Sequence, residues 1–301
     1  MTILVLGHLV LDEIHSHEGA VYHTPGGITF PVSTFASLVD EGDRLLPLFP
    51  YGHDAASVLH EIEAGHPEAD FSHCWEVPHD NTRVRLFHES PSQYNTQLVR
   101  SLGSIPSGSI DAVLPDCDLV YLNMMTGHDV TLDTAARLRG EGRLVYVDLH
   151  MIAYRVHDDG RREPAPAACW RDWLRVGDVL QCNEREFAAL VPGESQQERI
   201  RAVFDTAAPR FFVLTKGEQG ADVFLSPDEQ WHVPAVTSTH PIDPTGCGDT
   251  FGSTLAFELA RGTDVGTAAA RAAQAASFVA GIPGSDGLRG LRAWLAKEGV
   301  S

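Results

Sequence analysis

Short apolar runs recur along the chain between stretches of helical period, and this alternation constrains the fold more than any other feature. Strands are expected at Ile3–Gly7, Leu45–Phe49, Leu119–Asn123, Leu144–Asp148, Val179–Cys182 and Phe211–Thr215. Runs of this kind suit a mainly parallel sheet, because the crossover helices cover both of its faces. Helices are expected at Thr29–Val39, Ala55–Ala64, Leu132–Arg139, Glu184–Leu190, Gln196–Phe204, Gly248–Ala260, Val265–Ala280 and Leu288–Lys297, with a hairpin at Val223–Leu225 and Trp231–Val233. The chain of 301 residues could form one large α/β domain or two medium ones, and it shows no internal repeat and no low-complexity linker. Two stretches break the rhythm: His15–His23 and Thr82–Val99 read as paired short strands around the polar turns Glu18-Gly19 and Glu89–Gln93.

Composition removes several function classes. Apolar residues make up 43% of the chain without a run long enough for a membrane span. Ile3-Leu-Val-Leu6 is broken by Gly7-His8 and follows no basic segment, so it reads as a first strand rather than a signal peptide. The five cysteines are an odd number without metal-like spacing, which fits free thiols in a reducing cytoplasm. A formal charge of −19 argues against nucleic-acid and anionic-membrane partners. Lys216 and Lys297 are the only lysines, so an anionic ligand must be met largely by helix N-termini, a divalent metal or arginine.

The run Pro241-Ile-Asp-Pro-Thr-Gly-Cys-Gly-Asp-Thr-Phe251 opens the helix expected at Gly248–Ala260. Gly246, Cys247 and Gly248 would aim unpartnered N–H groups and the positive end of a helix dipole at one point. Asp249 stands at the same point. An acid beside an anion hole fits one that takes a proton from a hydroxyl attacking a phosphate; a first-turn acid on a glycine-rich turn is the plainer alternative. No Walker-type P-loop and no Gly-x-Ser-x-Gly elbow occurs, which disfavours Walker NTPases and α/β-hydrolases.

The order Asp-x-x-Gly-x-Gly-Asp from Asp243 to Asp249 resembles the C-terminal signature of the ribokinase-like (PfkB) carbohydrate kinases. The resemblance implies a single domain over 1–301, a three-layer α/β/α core with a small β-sheet lid, here the segments about 14–25 and 82–99 inserted in it. It implies transfer of the ATP γ-phosphoryl group to an alcohol, with Asp249 as general base and the Gly246, Cys247 and Gly248 amides on the phosphoryl group. Asp243 would orient the turn or serve a monovalent-cation (K⁺) loop. Asn183-Glu-Arg-Glu186 resembles the family's Asn-x-x-Glu motif and implies Mg²⁺ and phosphate contacts for Asn183 and Glu186; a capping box gives the same pattern. Leu214-Thr-Lys-Gly-Glu-Gln-Gly-Ala221 resembles the nucleotide-side loop, setting Thr215, Lys216, Gly217 and Gly220 beside ATP, with Lys216 turned either to phosphates or to solvent. Ala276, Ser277 and Gly281 fall in the region that flanks the adenine.

On the acceptor side, Gly7-His-Leu-Val-Leu-Asp12 reads as a first strand ending in an acid, well placed to accept hydroxyl hydrogen bonds. Gly26 and Gly27 resemble the family's paired glycines beneath the sugar. Pro31 stands where ribokinase-type and fructokinase-type members commonly have Asn. This departure puts simple ribose or fructose in doubt and leaves Thr29 as a weak substitute. Asn123, Asp148 and His150 lie just past strand ends and are expected near the acceptor, though Asp148 would equally cap the next turn. The reading is a kinase for a small sugar, polyol, inositol or nucleoside, with a homodimer through the lid as an option. A regulatory binder of the same fold is the alternative.

Overall fold

The computed structural model describes residues 1–16, 19–90, 93–236, 244–282 and 284–298. Asp243, expected at the site, lies outside them. The main sheet has eight strands in the order Glu229–Val233, Ala221–Ser226, Phe211–Thr215, Val179–Asn183, Leu144–Asp148, Leu119–Asn123, Thr2–Leu6 and Arg44–Leu48. The six from Phe211–Thr215 to Arg44–Leu48 run parallel, and the two at the other edge form an antiparallel hairpin. Alternate residues feed two cores: Ile3, Val5, Leu119, Tyr121 and Tyr146 face one, while Leu4, Leu6, Val120, Leu122 and Val147 face the other. Thr29–Leu38, Cys247–Ala260 and Val265–Ala280 cover the first face. Trp170–Leu174, Glu184–Leu190 and Gln196–Ala207 cover the second. Burial on both sides explains why these strands are apolar throughout rather than alternating.

A separate four-stranded sheet has the order Val21–Gly27, Leu9–His15, Arg83–Ser90 and Gln93–Arg100. The two stretches that broke the βα rhythm therefore do meet, through the parallel pairing of Leu9–His15 with Arg83–Ser90. Two sequence expectations need correction. The first strand stops at Leu6, and Asp12 lies within the lid strand Leu9–His15, because Leu9 pairs with Gly27 and the chain has already left the main sheet. The helix expected at Leu132–Arg139 is only Leu132–Ala135; the chain then tightens into three-residue turns before Gly140.

Asn81 joins the lid to the core. It is fully buried, its Nδ2 donates to Leu9 O at 2.9 Å and to Thr82 O at 3.2 Å, and its Oδ1 accepts Gly52 N–H at 2.9 Å. Asn81→Leu keeps the volume but strands buried backbone groups, and each such group costs roughly 1–3 kcal/mol. Urea unfolding should show a loss of about 2 kcal/mol or more; an unchanged midpoint would remove Asn81 from this role.

Candidate active site

Several sheet strands end in polar residues at one edge: Asn123, Asp148, Asn183 and Thr215 each close a parallel strand. The helix Cys247–Ala260 starts over that edge. Its N-cap, Gly246, has φ 81°, and a Cβ there would collide with the Phe30 ring, so this position needs glycine on both counts. Two side chains hold the helix start to the sheet. Gln181 Nε2 donates to Gly248 O at 3.0 Å, and Asn123 Nδ2 donates to Asp249 Oδ1 at 2.8 Å. Gln181 is fixed in turn by Tyr146, whose hydroxyl donates to Gln181 Oε1 at 2.7 Å.

The amides differ from the sequence expectation. Cys247 N–H is directed to Pro244 O at 3.2 Å, closing the turn, and so does not join an anion hole. The Gly248 N–H has no partner among the described residues, and a Cβ on Gly248 would meet nothing within 4 Å. An open space over a free amide at a helix N-terminus fits a phosphoryl group. Cys247 Sγ instead reaches Ala276 O at 3.5 Å, tying this helix to Val265–Ala280, which carries Ala276 and Ser277 and ends at Gly281.

Acids crowd this edge. Burial raises the Asp249 carboxyl above its usual range, while His150 and then the Asn123 hydrogen bond hold it down. Asp148 is also raised, by burial and then by Asp249; it accepts His150 N–H at 3.3 Å, so the capping option holds as well as proximity to the site. Burial alone would discharge the His150 imidazole, but Glu186, 2.6 Å from Nδ1, with Asp148 and Asp249 beyond it, carries its pKa up to about 9. An acid kept near such a cation stays available as a base.

Asn183 and Glu186 form the capping box. Asn183 Oδ1 accepts Glu186 N–H at 2.9 Å, and Glu186 Oε2 accepts Asn183 N–H at 2.9 Å. With Glu186 Oε1 on His150, both carboxylate oxygens are engaged. No group of three His, Cys, Asp or Glu among the described residues is arranged to hold a metal. The pair therefore does not fit as a direct ligand set for the expected Mg²⁺, and no step below passes through a metal. Lys216 does not point into open solvent: its Nζ is 2.5 Å from Asp222 Oδ2, and Asp222 also holds His232 Nδ1 at 2.8 Å. The surrounding loop is closed by Lys216 N–H donating to Gly220 O at 2.8 Å over the turn Gly217–Gln219.

The lid brings Asp12 over the site. A Cβ on Gly26 would collide with the Asp12 carboxylate, which is why a glycine faces it across the Leu9–His15 and Val21–Gly27 pair. Gly27, at φ 63°, turns the chain into the helix that starts at Thr29, whose Oγ1 is buried without a partner among the described residues. Burial pushes Asp12 up to about 7, with Arg162 lowering it and Asp249 raising it. Sequence reasoning missed Arg162. It sits on a small hairpin of Tyr154–Val156 with Arg162–Pro164, and its Nη2 donates to Met125 O at 3.1 Å. The Asp159-Gly160 turn between two three-residue strands was the available signal.

Residues 152–288 match the model of the pfkB family carbohydrate kinases. Solved structures share the fold over nearly the whole chain. One is a pyrophosphate-dependent myo-inositol-1 kinase carrying substitutions (TM-score 0.81, 15% identity, 100% of both chains). Another is Arabidopsis thaliana ribokinase with ribose and ATP (TM-score 0.76, 16% identity, 98% of both chains). The family match over just under half of the chain, together with the shared fold, supports a ribokinase-like kinase. A curated cytidine kinase of Thermococcus kodakarensis is 22% identical to this kinase over 275 residues, 87% of this chain and 90% of its own. The alternative of a non-transferring regulatory protein finds no support among these relatives. No helix among the kinase's described residues is long and apolar enough to cross a membrane.

The raised Asp12 gives a signed prediction. Unfolded, the carboxyl ionises near 3.8; folded, it ionises at about 7, so its stabilising protonation is lost as pH rises through 7. Asp12→Asn should therefore raise Tm relative to the parent at pH 8 and not at pH 3.5. Equal Tm differences at the two pH values would contradict a buried, uphill-shifted Asp12.

Proposed function

We propose that this kinase transfers the γ-phosphoryl group of ATP to an alcohol of a small polyhydroxy acceptor, with Asp249 as general base. The observation that carries the reading is Asp249 held by Asn123 at 2.8 Å beside the unpartnered Gly248 amide. The acceptor would lie between Asp12, Gly26 and Thr29 on the lid side and Asp249 below. Its hydroxyl oxygen attacks phosphorus in line while its proton passes to Asp249. The Gly248 amide donates to an oxygen of the phosphoryl group, and ATP supplies that group and leaves as ADP. Catalysis here is positioning and electrostatic complementarity, with the lid keeping water from competing.

Nucleosides and inositols are favoured over ribose as acceptors. Pro31 sits in the first turn of the helix Thr29–Leu38, where its missing N–H costs nothing, and it offers no hydroxyl contact. The cytidine kinase and inositol kinase among the relatives are consistent with that preference.

The test is ADP release from Mg-ATP across nucleosides, inositols, sugars and sugar acids, with Asp249→Asn as the blank. The variant should lose roughly 10²–10⁴ in kcat on the active acceptor while still binding ATP. Retention of more than about a tenth of kcat would remove Asp249 as the base, since general-base catalysis is worth far more than that.

A further inference from the structure

The lid strand Leu9–His15 sends Asp12 and Ile14 to one face, because side chains two residues apart in a strand share a side. Cross-strand register extends that face: Asp12 lies opposite Thr24 and Val84, and Ile14 lies opposite Tyr22 and Leu86. Two observations turn the face toward the site. Gly26 leaves room for the Asp12 carboxylate, and four residues on, the Phe30 ring lies against Gly246 at the start of the helix Cys247–Ala260. Val84 and Leu86 belong to an apolar cluster that packs against Met125, whose N–H donates to the carbonyl of Asn123, the residue that holds Asp249. Glu13 and Arg85, an ion pair at 3.0 Å, lie on the opposite face.

Polarity changes along this face within one step of the pleat. At the level of Asp12 stand a carboxylate and the Thr24 hydroxyl, suited to hydroxyl groups. Two residues farther out, roughly 7 Å at the rise of a strand, Tyr22, Ile14 and Leu86 offer an aromatic ring and hydrocarbon. Ile14, Leu98 and Met125 are only partly covered, and Tyr22 is 56% exposed. A ligand that meets both levels carries hydroxyls at one end and a flat, weakly hydrated ring at the other. A nucleoside has that division, with ribose hydroxyls for Asp12 and a base for the tyrosine ring. An inositol has a hydroxyl on every carbon, and those reaching the outer row would lose water without gaining a partner.

We propose that the acceptor is a nucleoside whose base stacks on Tyr22 against Ile14, and that these two side chains determine its specificity. The proposal rests on the kinase reading above and narrows its acceptor class. Neither side chain takes part in bond making, so their loss acts on acceptor binding and not on the chemical step. Ribose alone would satisfy Asp12 and leave the outer row uncovered.

The experiment has two arms. Calorimetric titration of the parent enzyme with the common ribonucleosides, ribose and myo-inositol, in the presence of Mg-ADP, reads binding without transfer. Steady-state kinetics with Mg-ATP then read turnover of the same compounds. At least one nucleoside should bind about ten-fold or more tightly than ribose and myo-inositol, the worth of a stacked base. Tyr22→Ala, at an exposed position, should raise that nucleoside's Kd and KM by a similar factor, with kcat and the ATP KM within a few-fold. Tyr22→Phe should keep the parent values, and Ile14→Thr, which keeps the β-branched shape, should weaken the nucleoside and not ribose. Absence of nucleoside binding, or tighter binding of ribose or myo-inositol, would overturn the proposal. So would a nucleoside Kd that Tyr22→Ala leaves unchanged. Turnover of a sugar or inositol alone would keep the kinase and remove the nucleoside. Nucleoside binding that Tyr22→Ala weakens, without any turnover, would uphold the base contact and sink the kinase reading instead.

Discussion

Everything at this site depends on how the start of the helix Cys247–Ala260 is held over the carboxyl edge of the sheet. Two amide side chains do it, Asn123 on Asp249 and Gln181 on Gly248 O. Behind them the buried Tyr146 fixes Gln181 through its hydroxyl, and Tyr146 is stacked on Tyr121 with ring centroids 5.2 Å apart. In front, the Phe30 ring lies where a Cβ on Gly246 would be, so the helices Thr29–Leu38 and Cys247–Ala260 share one contact. A free helix N-terminus is common in proteins. Here the neighbouring carboxylate is locked to a particular side of it by Asn123, which is the arrangement the proposed transfer needs.

The charge arrangement follows from that geometry. Asp148, Glu186 and Asp249 are brought close in a buried volume, which would force protons onto some of them unless a cation were present. His150 is that cation, fixed by Glu186. Asp12 and Arg162 form a second opposed pair on the lid side, reaching the site from elements far apart in sequence. Burial is the main cause of the raised Asp12, and Asp249, on a different element, adds to it.

Much of this was legible in the chain. The parallel sheet was readable because its strands are apolar on both faces, and the helix starts because glycine, proline and asparagine punctuate them. The site residues Asn123, Asp148, His150 and Asp249 do converge, since strand ends on one edge of such a sheet have to. The capping pattern at Asn183 and Glu186 was read both ways, and the capping box is what the backbone adopts. Gln181 escaped because nothing local marks it inside a buried strand run, and Arg162 because its only signal was the Asp159-Gly160 turn between two three-residue strands.

The sequence by itself determined the layer order, the glycine-flanked helix start and the presence of an acid there, because propensity, periodicity and turn chemistry are local. Only the tertiary structure decided the partners. It gave Lys216 to Asp222, Cys247 N–H to Pro244, Glu186 to His150 and Asp12 to the lid rather than to the first strand. These are choices among long-range contacts of similar local chemistry, set by strand order and lid pairing, and no spacing along the chain encodes them.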